Sequence, residues 1–253
     1  MSCAKPPTIW SGMLWAMSEP ARRLTDSAPP TLVGVMGVMI EALAEGALWW
    51  ADERLLIVAD LHLEKGSSFA QRGQLLPPYD TRETLERLAR LIDRFAPATV
   101  IALGDSFHDI DGPLRLAAGD RSTLKRLQAG RTWIWIAGNH DPEAPAALAG
   151  DHVDEMAIGR LVFRHEPGDR PAAGEIAGHL HPAARVWARG RSVRRRCFLG
   201  DGERLIVPAF GAYTGGFNIL DQAFNGLFAR APTAFVLGNG RVYAVRRAGL
   251  RAD

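Results

Sequence analysis

Asp60-Leu-His62, Gly104-Asp105, Gly138-Asn139-His140-Asp141, His165 and Gly178-His179-Leu-His181 are five separated pieces of one 253-residue chain, and five of its seven histidines fall inside them. Carboxylate, amide and imidazole groups without an accompanying thiolate suit manganese, iron or zinc better than a soft-metal site. Asp60 and His62 are two residues apart, so in extended backbone both side chains share one face and can chelate one ion. His179 and His181 repeat that spacing and can each serve a different ion of a pair. A carboxylate such as Asp105 is a natural bridge, because its two oxygens can be shared and its charge offsets the repulsion between cations. The chemistry on offer is two-metal hydrolysis of a phosphate ester, in which cations roughly 3.5–4 Å apart acidify water and clamp the attacking and leaving oxygens.

These ligands need strand ends to bring them together. Leu55-Leu-Ile-Val-Ala59, Thr99-Val-Ile-Ala-Leu103 and Thr132-Trp-Ile-Trp-Ile136 are short apolar runs typical of strands covered on both faces. They end at Asp60, Gly104-Asp105 and Gly138-Asn139-His140-Asp141, and ligands of open α/β sheets gather beyond the carboxyl ends of strands. Leu85, Leu88, Leu91, Ile92 and Phe95 recur at helical spacing over Tyr79–Phe95, with Pro97 as the stop. A second amphipathic helix is expected from Pro113 to Leu127, closed near Gly130. Beyond Asp141 the pattern changes to short strands at Leu161–Phe163, Glu175–Ala177, Arg185–Trp187, Cys197–Leu199, Leu205–Val207, Ala234–Leu237 and Val242–Val245. Asn239-Gly240 between the last two is a hairpin signal. The first half therefore reads as βαβ units and the second as a mostly antiparallel sheet. Two sheets packed face to face with helices outside accommodate both in one α/β unit.

Residues 1–30 carry Pro, Ser and Ala with no periodic apolar pattern, so a loosely ordered N-terminal extension is expected, with one domain over residues 31–253. The run from Leu32 to Ile40 follows Arg22 and Arg23 and superficially imitates a secretion signal. It is shorter than the roughly 20 apolar residues that span a bilayer, and Gly34 and Gly37 interrupt it, so a buried first strand is the better reading and no membrane association is expected. Met36 or Met39 is a candidate alternative start. Hydrophobic content of 47% and charged content of 23% are ordinary for a soluble globular chain. A net charge of +2 does not by itself imply nucleic acid. Cys3 and Cys197 lie at opposite ends with no paired spacing, which fits a reducing cytoplasm and no disulfide framework.

The ordered set Asp-x-His, Gly-Asp, Gly-Asn-His-Asp, His, Gly-His-x-His, from about Leu55 to Pro182, resembles the calcineurin-like metallophosphoesterases. The resemblance implies the αββα four-layer fold of that family, a two-sheet β-sandwich flanked by helices. It also implies two divalent metal ions, with Mn2+ favoured and Fe2+ or Zn2+ as alternatives. Carried over by position, one ion would be held by Asp60, His62, Asp105 and His181, and the other by Asp105, Asn139, His165 and His179. His140 would then be the catalytic, non-ligand histidine at the scissile phosphate, oriented by Asp141. Gly104–Asp109, Arg195–Phe198 and Pro208–Gly216 further resemble the bacterial ligase-associated, PdeM-type branch. That branch implies action on nucleic-acid phosphodiesters in DNA repair, beside DNA ligase and helicase partners. One departure stands out: many relatives place Asp-Arg-Gly after the Gly-Asp element, whereas Phe107-His-Asp109 follows here. Lys65, Arg72 or the later arginine cluster would have to replace the phosphate-clamping arginine.

Arg185, Arg189, Arg191, Arg194, Arg195 and Arg196 crowd the segment after His181, and no acid lies between Glu175 and Asp201. Arginine pairs bidentately with phosphate, so Arg194, Arg195 and Arg196 are candidate substrate contacts beside Lys65 and Arg72; a solvated hairpin is the plainer reading. His108 is either a partner to Asp105 or unrelated to the site, and His152 reads as a surface residue. Trp133 and Trp135 read as core, and Gly211–Gly216 is either a turn or a rim around the site. Three functions follow: a metal-dependent phosphodiesterase or nuclease, a phosphomonoesterase or nucleotide pyrophosphatase on a small substrate, and a non-catalytic scaffold of the same fold. The nearly complete ligand set favours the first two over the third.

Overall fold

The computed structural model describes residues 29–143, 148–188 and 190–253, so nearly all of the expected N-terminal extension, and Arg189, lie outside the described residues. Two mixed sheets stack against each other. The first takes its strands in chain order: β1 (Thr31–Val35), β2 (Val38–Ala42), β3 (Leu48–Trp50), β4 (Leu55–Ala59), β5 (Thr99–Leu103), β6 (Thr132–Ile136) and β7 (Asp151–Val153). The pairs from β1 to β4 are antiparallel, and those from β4 to β7 are parallel. Parallel neighbours need crossover connections. Helices α1 (Lys65–Gln71) and α2 (Asp80–Phe95) join β4 to β5, and α3 (Gly112–Arg115) and α4 (Ala118–Gln128) join β5 to β6.

Alternation along β4 explains the layering. Leu55, Ile57 and Ala59 face the second sheet and share a core with Leu161, Phe163, Ile176, Phe198 and Leu205. Leu56 and Val58 face the helices and pack with Leu85, Leu88, Leu91, Leu124 and Leu127. Trp133 and Trp135 lie on that helix-facing side and are buried. With both faces covered, the central strands carry no charged side chain, and beyond Thr99 and Thr132 at their starts they are apolar until the chain leaves them near Asp60, Asp105 and Asn139.

The second sheet comprises β8 (Glu155–Ile158), β9 (Leu161–Arg164), β10 (Glu175–Ala177), β11 (Ala183–Ala188), β12 (Arg191–Gly200), β13 (Arg204–Ile206), β14 (Thr233–Leu237), β15 (Val242–Val245) and β16 (Leu250–Arg251). Its order is β15-β14-β12-β13-β10-β9-β8, with β11 on β12 and β16 on β11. The sheet is mostly antiparallel as expected, but β9, β10 and β13 are mutually parallel, which sends the ends of β9 and β10 toward the same edge as β4 and β5. Its outer face is covered by Ile219, Phe224 and Leu227, from a coil segment containing one helical turn at Gln222–Phe224.

Several expectations are corrected. The run Leu32–Ile40 is not one strand but the hairpin β1–β2, because Met36 and Gly37 both take positive φ, 50° and 82°, at the turn. A chain begun at Met36 or Met39 would lack β1 and its buried Val33 and Val35. The expected helix over 113–127 is broken: Leu116 and Ala117 take extended ψ values of 120° and 146°, and Leu116 turns inward to join the cluster that holds Phe107. Helix α1 was not expected, since its segment carries two serines and a glycine and no apolar periodicity.

Arg204 is the largest fully buried side chain among the described residues. Its Nε lies 2.7 Å from Glu175 Oε1, an ionic contact without hydrogen-bond alignment, and its two Nη groups donate to the carbonyls of Leu227 and Arg170 at 2.6 and 2.7 Å. Removing one member of a buried pair leaves an uncompensated charge and costs about 3–5 kcal/mol. Chemical denaturation of Arg204→Ala should register a loss of that size, and pairing Arg204→Met with Glu175→Leu should recover most of it.

Candidate metal centre

The site forms where five chain turns meet at the sheet edge, and the backbone there is unusual. Asp60, His62, Asp105, His179 and His181 have φ of 51°, 42°, 44°, 68° and 44°. Left-handed geometry is uncommon for non-glycine residues and carries strain that tends to cluster at functional sites. The extended backbone expected for Asp60–His62 and His179–His181 is therefore not found. The side chains converge because each segment curls back at its strand end.

Two groups result. Asp60, His62 and His181 place ligand atoms within 4.8 Å of one another, and so do Asp105, His165 and His179. His62 Nε2 and His181 Nε2 face each other at 3.2 Å, with Asp60 Oδ1 3.3 Å from the latter. In the second group His165 Nε2 is 2.9 Å from Asn139 Oδ1 and 3.1 Å from His179 Nδ1. Asp105 stands between: its Oδ2 is 3.7 Å from His62 Nε2 and its Oδ1 is 3.4 Å from His165 Nε2. All seven sequence-predicted ligands thus meet in one place, with His179 and His181 divided between the groups.

The donor chemistry fits divalent metals. Imidazole nitrogens and buried carboxylate oxygens converge on two common points, each with the donor types that divalent cations take. Asp60 and Asp105 are 0% and 2% exposed, so neither is satisfied by bulk water. Burial, then the neighbouring His181, His140 and His108, pushes the His62 imidazole down to about 2, keeping it neutral and its lone pair available. Burial also lowers His179, with His165 adding to the effect. Burial disfavours the charged form of His181 too, but the Asp60 hydrogen bond and the charges of Asp60 and Asp105 outweigh it and raise its pKa. His165 Nδ1 lies 3.0 Å from the Leu103 carbonyl, which only accepts, so its proton sits there and Nε2 is left for a metal.

Neighbouring backbone holds the carboxylates in place. The His179 N–H reaches both Asp60 oxygens at 3.2 and 3.1 Å, and the His140 N–H donates to Asp105 Oδ1 at 2.9 Å. A Cβ on Gly138 would stand 2.1 Å from the Asp105 nitrogen and 2.3 Å from its Oδ1, so the Gly-Asn-His-Asp turn can press against Asp105 only with glycine there. The segment after β13 is a tied rim and not a free turn. Phe210 and Gly211 donate to the Ala59 and Asp60 carbonyls at 2.8 and 3.1 Å, and Ala212 donates to Thr84 Oγ1 at 2.9 Å.

Around the ligands, the sequence reading needs two corrections. Asp141 does not orient His140: its Oδ2 accepts from the Phe107 N–H at 3.0 Å, and burial, with Asp105 nearby, pushes it up to about 7. His140 Nδ1 is instead 2.8 Å from the His108 carbonyl, and the two rings stack with centroids 5.3 Å apart. Arg196 is not a surface contact for substrate. Its Nη1 reaches the carbonyls of Ala209, Phe210 and Gly211 at 2.7, 3.3 and 3.3 Å, and burial pushes it down to about 10. Arg194 and Arg195 remain partly exposed.

Lys65 and Arg72 flank the first group on α1 and just past its end. The Lys65 charge acts on His62, His108 and His181, while that of Arg72 acts on His108. Phe69, one turn from Lys65, lies 5.5 Å from the His108 ring and under the Lys65 Nζ at 5.7 Å. Sequence reasoning missed Phe69, and nothing in the periodicity of its segment marks it. It also missed the clamp on α1: Glu64 accepts from Ser67 and Thr81 at 2.7 and 3.0 Å, and Arg115 grips both Asp109 oxygens at 2.8 Å. On the other flank a groove of about 380 Å³ beside Asn139 and His165 is lined by Asp154, Glu155, Arg164 and Glu166. His152 is half-buried on β7 and takes no part.

One solved structure shares this arrangement of chain over most of its length. The crystal structure of Pseudomonas putida nuclease MPE matches with a TM-score of 0.66 and 29% identity, over 86% of this chain and all of that one. The Escherichia coli phosphoesterase Yfce matches at 13% identity and a TM-score of 0.38, over 76% of this chain and 98% of that one. A protein of unknown function from Aquifex aeolicus, AQ665, matches at 17% identity and a TM-score of 0.37, over 53% of this chain and 80% of that one. No curated protein matches at a significant level. The family model for calcineurin-like phosphoesterases matches residues 53–194, a span that starts just before β4 and contains every candidate ligand described above. This chain belongs to the calcineurin-like phosphoesterase family.

Proposed function

We propose that the protein is a two-metal phosphodiesterase acting on nucleic acid, with residues 31–253 as its working unit. The observation that carries the reading is Asp105, which turns one oxygen toward each of two imidazole groups. Asp60, His62, Asp105 and His181 would hold one divalent cation, and Asp105, Asn139, His165 and His179 the other. Cations bound there would supply Lewis-acid polarisation of a phosphoryl oxygen and water of lowered pKa.

The chain's own residues do the remaining work. Because a carbonyl holds His140 Nδ1, that nitrogen carries the proton, and Nε2 is turned inward, 3.9 Å from Asp105 Oδ2. From there, as an imidazolium carrying a second proton on Nε2, His140 would give that proton to the leaving oxygen or stabilise charge developing on the phosphoryl group. Asp141 holds the loop after Asp105 by its bond to the Phe107 N–H, and so acts on position and not on proton transfer. Lys65, whose charge reaches three of the histidines, would serve as the phosphate clamp in place of the arginine common in relatives.

A nucleic-acid substrate is supported by the partly exposed arginines of β11 and β12, which continue from the His181 turn. It is supported too by the likeness to a Pseudomonas putida protein described as a nuclease. Manganese as the native ion and a DNA-repair role beside ligase or helicase rest on the sequence resemblance, and a cytoplasmic location on the unpaired spacing of Cys3 and Cys197. Among the described residues no helix is long and apolar enough to cross a membrane.

Initial rates on single- and double-stranded oligonucleotides, a small phosphodiester and a phosphomonoester, with Mn2+, Fe2+ or Zn2+ restored after chelation, test this reading. Cleavage of oligonucleotide that a chelator abolishes and Mn2+ restores is expected; turnover of the phosphomonoester alone would overturn it. His140→Ala should keep both metals by elemental analysis and lose roughly 10²- to 10⁴-fold in kcat. Metal loss from the folded variant would move His140 into the ligand set. Lys65→Ala should raise KM for the small diester with metal content unchanged, and an unaltered KM would remove Lys65 from the phosphate site.

A further inference from the structure

Three strands set arginines side by side. Arg194 of β12 is directly opposed to Arg185 of β11, which is directly opposed to Arg251 of β16. Directly opposed residues project from the same face, and like charges so placed weaken a sheet. The adjacent positions Ala184, Val186 and Leu250 point the other way, into the outer apolar cluster. The arginine row therefore lies on the face that carries Arg196, which grips the 209–211 carbonyls. Arg194 in turn bonds the Gly216 carbonyl, and Gly216 is seated so closely on the His181 carbonyl that a Cβ would be 2.1 Å from that oxygen. The row thus begins at the metal-ligand turn and leads away from it.

One carboxylate relieves this repulsion. Arg185 Nε donates to Asp253 Oδ1 at 3.0 Å, and Arg194 Nε donates to Asp253 Oδ2 at 3.2 Å. The two oxygens of one anion are shared between two guanidinium groups, as the non-bridging oxygens of a phosphodiester would be. Arg185, Arg194 and Asp253 are 36%, 37% and 43% exposed, so water and a competing anion both reach the contact. Exposed pairs of this kind hold weakly and yield to salt. A strand bringing several phosphates releases counterions along the whole row and outcompetes a single carboxylate.

We propose that Arg185 and Arg194 form a phosphate-backbone subsite for a nucleic-acid strand entering the metal centre, and that the Asp253 carboxylate occupies this subsite until the strand displaces it. Arg251 extends the track by one position. The inference rests on the nucleic-acid reading given above and adds to it where the strand lies and what holds the track closed. Asp253 is accordingly a competitive brake on substrate.

The test is oligonucleotide cleavage by the full chain loaded with Mn2+, with KM followed from low to physiological salt. Asp253→Ala should lower KM about three- to tenfold, and its slope of log KM against log salt should steepen by about 1. Asp253→Asn, which keeps the shape and removes the charge, should do the same. Arg185→Ala should raise KM, and adding Asp253→Ala to it should change KM less than in the parent. An unchanged KM and slope in both Asp253 variants, or a full Asp253 effect surviving Arg185→Ala, would overturn the subsite while leaving the nuclease reading intact. A parent protein that hydrolyses a small diester but no oligonucleotide would overturn both.

Discussion

Two buried carboxylates and five imidazoles are forced into one pocket at the edge of a sheet, and in protein alone that gathering is unfavourable. Imidazole nitrogens face each other across 3.1–3.2 Å in the histidine pairs, and the buried Asp60 and Asp105 have lost bulk water. Much of the surrounding architecture serves to keep these groups from moving apart. Strands β4, β5 and β6 are buried on both faces, so a slip that relieved the crowding would draw the polar groups at their ends, Asp60 and Asp105 among them, into the apolar core. Left-handed backbone at five of the ligands is the local cost, and it persists because the turns are braced from several sides. A divalent cation among these donors would convert the crowding into mutual attraction, so that ligand geometry and metal affinity would be one property.

The bracing explains residues that look unrelated to chemistry. Arg196 was expected at substrate because it sits in an arginine run, yet it projects from the face of β12 opposite Cys197, where it grips three carbonyls of the rim. That rim donates through Phe210 and Gly211 to the carbonyls of Ala59 and Asp60. Arg196 therefore supports a metal ligand at one remove. Replacing Arg194, Arg195 and Arg196 together would confuse loss of a substrate contact with loss of that support. Asp141 belongs to the same class: it steadies the loop that follows Asp105 and leaves His140 to the His108 carbonyl.

What the sequence made legible was whatever depends on type and order. The strand ends, the ligand types and the long helix α2 follow from apolar runs, from Asp, Asn and His at their ends and from a regular period ended by Pro97. What it concealed depends on backbone conformation and on contacts remote in the chain. The pair Met36–Gly37 turns a strand into a hairpin through φ, which a composition window does not register. Helix α1 is held by Glu64, Thr81, Ser67 and Arg115, whose side chains meet only after the chain has folded. The i, i+2 argument for Asp60 and His62 reached a sound grouping from the wrong backbone, since a curled turn brings side chains together as effectively as one face of a strand.

The flanks of the centre differ in sign, and that difference bears on direction. Beyond Asn139 and His165 the groove carries Asp154, Glu155 and Glu166, with Arg164 already paired to Glu155. Beyond His62 and His181 stand Lys65, Arg72 and the arginine row of β12, β11 and β16. A polyanion approaching such a centre is repelled from one side and drawn along the other, and low-dielectric walls sharpen the contrast. On the proposed reading, a strand guided in this way would approach from the His181 side, where the arginine row begins. The same asymmetry does little for a phosphomonoester small enough to fit between the flanks. On the proposed nucleic-acid reading, the charge pattern would supply a preference for long polyanionic substrates that the candidate metal ligands alone do not provide.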